Sequence, residues 1–107
     1  MIDLMQIDQQ NWNASVIGIL GGGKSGIAAA RLAAHIGAEI FISEHQDTLN
    51  IKEKLSEFRN ETGGHSDKIL NSDLIILSPG ISDQIPIVQK AIDKGIPLVS
   101  EIEFASW

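Results

Sequence analysis

The chain has 107 residues, enough for one domain with its own core and short for a complete multi-substrate enzyme. Eight Lys and Arg against fourteen Asp and Glu give a formal net charge of -6, the wrong sign for a nucleic-acid binder, so any phosphate site has to be local and built mainly from backbone N–H groups. The absence of cysteine excludes disulfides, thiolate–zinc centres and cysteine nucleophiles, and no apolar run approaches the roughly 20 residues that span a bilayer, so the cytoplasm is the expected location.

Residues 1–14 read as a polar leader without the basic and apolar regions of a signal peptide. Ser15 to Leu20 then forms a short apolar stretch with no alternation, the pattern of a parallel strand buried on both faces. A glycine-rich turn, Gly21 to Gly26, leads into an alanine-dense segment, Ile27 to Ile36, that predicts a helix stopped by Gly37. Ala38 to Ser43 predicts a second strand, and Asp47 to about Arg59 a second helix from Ile51, Leu55 and Phe58 at helical spacing. A short third strand is expected near Phe58 to Thr62, then Gly63-Gly64 and a helical turn around Lys68 to Leu70.

Asp73 to Leu77 is a further apolar strand, closed by Ser78-Pro79-Gly80. Pro86 suits the first turn of a helix with Ser82 or Asp83 as its cap. Ile87, Val88, Ala91 and Ile92 make its apolar stripe, and Gly95 ends it. Pro97 to Ser100 predicts the last strand, and Glu101 to Trp107 the start of a helix. Alternating strands and helices imply an α/β domain, a Rossmann-like five-stranded parallel sheet with helices on both faces. Right-handed crossovers favour strand order 3-2-1-4-5. Ligands in such sheets sit beyond the strand carboxyl ends at the topological switch point, here between the Gly21–Gly26 and Ser78–Ile81 loops.

Gly21, Gly23 and Gly26 satisfy G-x-G-x-x-G. In that pattern the first glycine permits the tight turn, the second lets an anion approach the backbone, and the third lets the helix pack closely. The helix N-terminus adds unpaired N–H groups and the positive end of a dipole, and Lys24 and Ser25 place an ammonium and a hydroxyl at the turn. Gly18 to Ser25 also fits the letters of a Walker A loop, but that reading would spend half of the preceding strand as loop. Glu44, 18 residues past Gly26, stands where dinucleotide domains carry an acid for ribose hydroxyls; the other reading is a solvated loop glutamate. His45 and Gln46 follow it and offer further hydrogen bonds. Ser78, Pro79 and Gly80 either meet a ligand from across the switch point or form a plain turn.

Taken together, Gly21-Gly-Gly-Lys-Ser-Gly-Ile27, Asp73-Leu-Ile-Ile-Leu-Ser-Pro-Gly-Ile81 and Gly95-Ile-Pro-Leu-Val-Ser-Glu-Ile-Glu-Phe104 resemble the N-terminal domain of the Mur ligases. The likeness is to the D-glutamate-adding branch, which has Ser-Pro-Gly-Ile in the fourth-strand loop where the L-alanine-adding branch has Ser-Ser-Ala-Ile, and it runs from about Ser15 to Phe104. The resemblance implies a three-domain enzyme of peptidoglycan synthesis. Its first domain binds the uridine diphosphate of UDP-N-acetylmuramoyl-L-alanine, its second holds ATP and magnesium, and its third closes over the incoming amino acid. It further implies acyl-phosphate formation on the L-alanine carboxylate, then attack by the D-glutamate amine.

By the same resemblance Lys24 and Ser25 would meet the diphosphate, Glu44 to Gln46 would flank the uracil, and Gly80 would meet the ligand from the fourth loop. His45 and Gln46 stand where the family usually carries a small polar and a basic residue. The chain ends at Trp107, where the family continues into further domains, so it is expected to bind and not to catalyse. Two other functions stay open: an NAD(P)-binding domain of an oxidoreductase or redox regulator with Glu44 on the ribose, and a ligand-free interaction domain. His35, His45 and His65 show no metal-ligand spacing. Glu101 and Glu103, two apart, point to different faces of a helix, so no catalytic residue and no metal site is assigned.

Overall fold

The computed structural model describes residues 15–82 and 84–105. The leader at 1–14, the end of the last predicted helix at Ser106 and Trp107, and Asp83, one of the two expected helix caps, lie outside the described residues. Five strands, β1 (Val16–Leu20), β2 (Glu39–Glu44), β3 (Arg59–Thr62), β4 (Leu74–Leu77) and β5 (Leu98–Ser100), form one sheet. The order is β3-β2-β1-β4-β5 and every pairing is parallel, as the alternating pattern predicts. The helices are α1 (Lys24–His35), α2 (Leu49–Leu55), α3 (Pro86–Asp93) and α4 (Glu101–Ala105), with a 3-10 helix at Asp67–Asn71.

The central strands are apolar throughout because each faces a core on both sides. Ile17, Ile19, Ile40, Ile42, Leu74 and Ile76 pack on Ala29, Ala30 and Ala33 of α1, Leu55 of α2 and Phe104 of α4. Leu20, Phe41 and Ile75 point the other way, onto Ile69 of the 3-10 helix and Ile87, Val88 and Ala91 of α3. The alanine face of α1 lets that helix lie close to the sheet. Each fully buried Ile or Leu contributes about 1.5–3 kcal/mol, so the central strands carry most of the core's stabilisation.

The second helix and α3 differ from the sequence reading. The second helix stops at Leu55, well short of Arg59, because Phe58 N–H turns back to the Leu55 carbonyl at 2.9 Å. Phe58 and Ile51 are only partly buried against the core, and Arg59 already opens β3. In α3 the stripe is Ile87, Val88 and Ala91, whereas Ile92 is 48% exposed. Ser82 does not cap that helix: Ile85 is the cap residue and makes no side-chain cap bond. The Ser82 hydroxyl instead accepts the Gln84 N–H at 3.1 Å within a turn, and Pro86, lacking an N–H, begins the helix with one orphan donor fewer.

Candidate functional site

The site is built where β1 and β4 end. Gly21 leaves β1 at φ +103°, a left-handed conformation that disfavours any side chain. A Cβ at Gly26 would run into the Gly21 carbonyl oxygen, so the third glycine lets α1 begin directly against the first peptide of the turn. Gly23 is different: it has an ordinary φ of -74° and open space where a Cβ would stand. Among the described residues nothing fills that space, so the absence of a side chain there leaves room for a ligand.

Gly23 is the cap residue of α1, and among the described residues no side chain caps the helix. The first bond of the helix is Ile27 N–H to the Gly23 carbonyl, 2.9 Å, which leaves the N–H groups of Lys24, Ser25 and Gly26 without a carbonyl one turn earlier. These donors and the positive end of the helix dipole face the turn, and the exposed Lys24 stands beside them. The Walker A alternative fails on geometry. Gly18 pairs within the sheet with Phe41 and Ile75, and a Cβ on it would collide with Ser72 and Ile69. The strand runs to Leu20, and only Gly21 to Gly23 remain as loop.

Across the switch point, Ser78-Pro79-Gly80-Ile81 closes as a β-turn, with Ile81 N–H on the Ser78 carbonyl at 3.2 Å and Gly80 at φ +91°. Proline followed by a positive-φ glycine suits a type II turn. The Ser78 hydroxyl donates to the Gly21 carbonyl at 3.0 Å, so the two turns are tied together. Between them lies a cleft of about 290 Å³. It is lined by Gly21, Gly23, Lys24, Ser25 and Gly26 from the first turn, by Ser78, Pro79 and Gly80 from the second, and by Glu44. Ile81, at the end of the same turn, completes the wall.

Glu44 is not a solvated loop acid. It is 8% exposed; one carboxylate oxygen accepts the Gly22 N–H at 2.6 Å and the other the Gln46 N–H at 2.6 Å. Its charge therefore holds the glycine turn against the chain leaving β2. His45 and Gln46, also expected at the site, are exposed beside this clamp and do not line the cleft.

A second polar cluster sits below that segment. The Ser43 hydroxyl is fully buried and lies 2.7 Å from both Glu61 Oε2 and His65 Nδ1. Burial pushes the Glu61 carboxyl upward, but hydrogen bonds from Ser66 and Ser43 outweigh it and the net shift is down. Burial also holds His65 below its ordinary value, partly offset by the charges of Glu61 and Glu44. Asp47, on the surface, is lowered by the Thr62 hydroxyl and by Lys52. No local pattern in the sequence announces this cluster, because its members come from two strands and the loop after β3.

Glu103 also finds an explanation the sequence reading missed. The Ser100 hydroxyl accepts the Glu103 N–H at 3.1 Å while the Glu103 carboxylate accepts the Ser100 N–H at 3.3 Å. This is a reciprocal capping box at the start of α4. The signal was present, since Ser100-x-x-Glu103 has the capping-box spacing.

Residues 15–100 match the family described as Mur ligase MurD-like, N-terminal domain. This chain belongs to that family. The MurD-like domain is 40% identical over 97 residues to a UDP-N-acetylmuramoylalanine--D-glutamate ligase of Chlorobaculum tepidum, covering 86% of this chain and 20% of the relative. It is 45% identical over 96 residues to the enzyme of that name in Christiangramia forsetii, covering 83% and 21%. The chain thus spans about a fifth of the length of these relatives. Among solved structures, a Pyrococcus horikoshii protein matches at TM-score 0.64 and 26% identity, covering 89% of this chain and 28% of that one. Shikimate dehydrogenase from Aquifex aeolicus matches at TM-score 0.58 and 17% identity, covering 90% and 46%, a likeness of fold alone. Among the described residues no helix is long and apolar enough to cross a membrane.

Proposed function

We propose that the cleft between the two turns binds the uridine diphosphate of UDP-N-acetylmuramoyl-L-alanine, and that the domain serves an ATP-dependent D-glutamate-adding ligase of peptidoglycan synthesis. The observation that carries the reading is the convergence of the uncapped α1 N-terminus, Lys24 and the open space at Gly23 on one cleft. A diphosphate matches it: backbone N–H groups take its oxygens and the ammonium neutralises part of its charge. Gly80, from the opposite turn, borders the same ligand. The base would lie beyond Glu44, beside His45 and Gln46.

In this reading the domain holds and orients substrate and supplies no group to the reaction. ATP and magnesium would be bound by parts of a longer protein outside these 107 residues, and the acyl transfer would take place there. An NAD(P) site is the weaker reading, because Lys24 and Ser25 in the first turn and the Ser78-Pro79-Gly80-Ile81 turn opposite suit a uridine diphosphate sugar better. Relatives named as D-glutamate ligases support the uridine nucleotide over the nicotinamide one.

Calorimetric titration of the chain with UDP-N-acetylmuramoyl-L-alanine, and separately with NAD, tests the proposal. Saturable binding of the uridine nucleotide alone is expected. Gly23→Val, whose side chain would occupy the open space, should lower that affinity by about a hundredfold, roughly 2.7 kcal/mol, with the fold retained. Binding of NAD alone, or equal affinity in wild type and variant, would overturn it.

A further inference from the structure

The cluster around Ser43 has no part in the diphosphate argument, yet it is joined to both ends of the cleft. The Ser43 carbonyl accepts the Gly21 N–H at 2.9 Å, so the backbone of this residue supports the glycine turn. Its hydroxyl faces Glu61 of β3 and His65 of the following loop. Glu61 in turn reaches forward, accepting the Ser66 N–H at 2.9 Å and the Ser66 hydroxyl at 2.6 Å, which closes residues 61–66 into a compact loop. Within it Gly63 and Gly64, at φ +84° and +145°, aim their N–H groups at the carbonyls of Gln46 and Glu44, 3.3 and 3.4 Å away. The loop after β3 is therefore a buttress for the segment after β2.

The protons in the cluster can be assigned. Glu61, held in its ionised form, has no hydrogen to donate, so the single Ser43 hydroxyl proton goes to it. The 2.7 Å contact between Ser43 Oγ and His65 Nδ1 then requires the proton on Nδ1, which donates to the hydroxyl oxygen. Neutral His65 therefore carries its lone pair on Nε2.

We propose that His65 is a positioning residue for the nucleotide base. By donating to Ser43 it pins the Thr62–Ser66 loop, whose two glycine N–H groups fix the carbonyls of Glu44 and Gln46 and so set the surface on which the base of a uridine nucleotide rests. The proposal rests on the uridine diphosphate reading of the cleft. It assigns His65 no contact with ligand. Its effect should reach the base end of the site and spare the diphosphate end, which is held by α1 and the Ser78 turn.

The test is titration of the 107-residue chain with UDP and with inorganic pyrophosphate, followed by backbone amide shifts, for wild type, His65→Ala and His65→Asn. His65→Ala should weaken UDP binding on the order of tenfold, the scale of one lost hydrogen bond, and leave pyrophosphate binding unchanged. His65→Asn, whose side-chain amide donates from near the Nδ1 position, should restore UDP binding to within about twofold of wild type. Undiminished UDP binding in His65→Ala, an equal loss for both ligands, or no rescue by His65→Asn would overturn the proposal and leave the nucleotide site standing. Failure of wild type to bind UDP would instead remove the reading on which it rests. The ring 15N shifts of His65 near neutral pH check the geometry without ligand: a proton on Nδ1 is expected, and a neutral ring protonated on Nε2 alone would overturn the assignment.

Discussion

The glycine turn after β1 and the chain leaving β2 border the same cleft and are made of opposite materials. The first is almost all backbone: Gly21 turns, Gly26 admits the helix, and the space above Gly23 is left empty. The second is packed with side-chain charge and hydroxyl: Glu44 clamps two N–H groups, and Ser43, Glu61 and His65 interlock beneath it. One end leaves its donors open for an incoming anion, and the other spends its polar groups on the protein itself. The two regions meet where the Glu44 carboxylate takes the Gly22 N–H.

The contrast can be broken first within the glycine turn. Gly26→Ala puts a methyl onto the Gly21 carbonyl and should cost about 3 kcal/mol, the upper end of typical overpacking, seen as a lower midpoint in urea. Gly23→Val, three residues earlier, should change stability by less than about 1 kcal/mol, the scale of an altered cap residue, while removing most of the nucleotide binding. If the two variants unfold alike, the division between a structural and a ligand-facing glycine is wrong.

Glu44→Gln sharpens the other side. It keeps the shape of the clamp but turns one acceptor into a donor facing an N–H group, and should cost about 1–3 kcal/mol by urea unfolding. A neutral result would mean that the Gly22 and Gln46 bonds contribute little to the turn.

Acid titration probes the buried cluster with a smaller effect. The folded chain holds His65 below its ordinary 6.5, so the unfolded chain takes up that proton more readily. Stability is then full above 6.5 and falls as the pH drops through it. Glu61, lowered from 4.5, adds a second loss as the pH falls below that value. Thermal melts from pH 8 to 4 should therefore show falling stability in two stages, and His65→Asn should remove the upper one. The smallest effect is expected far from the cleft, at the capping box: Ser100→Ala should cost about 1 kcal/mol in the same unfolding assay.

Much of the fold is legible residue by residue. Val16 to Leu20 and Leu74 to Leu77 announce buried strands because a strand covered on both faces needs no polar alternation. Gly37 and Gly95, at φ +94° and +78°, end α1 and α3 as the sequence suggests. The second helix was harder to read, because Phe58 continues the apolar spacing of Ile51 and Leu55 past the point where the chain turns toward β3. Ile92 likewise fits the stripe of α3 by spacing but lies beyond the reach of the sheet, at 48% exposure.

The same division holds for the site. Sequence by itself determined the strand order, the switch point and the two turns that border the cleft, because glycine and proline act through local backbone geometry that any neighbouring fold must respect. It also named Glu44, but not what Glu44 does. Only the tertiary structure decided that its carboxylate is spent on Gly22 and Gln46, that His45 and Gln46 stand outside the cleft lining, and that Ser43 meets Glu61 and His65. The physical reason is range. A backbone conformation is encoded within a few residues, whereas the role of a charge or hydroxyl depends on which partners distant segments of chain bring within about 3 Å.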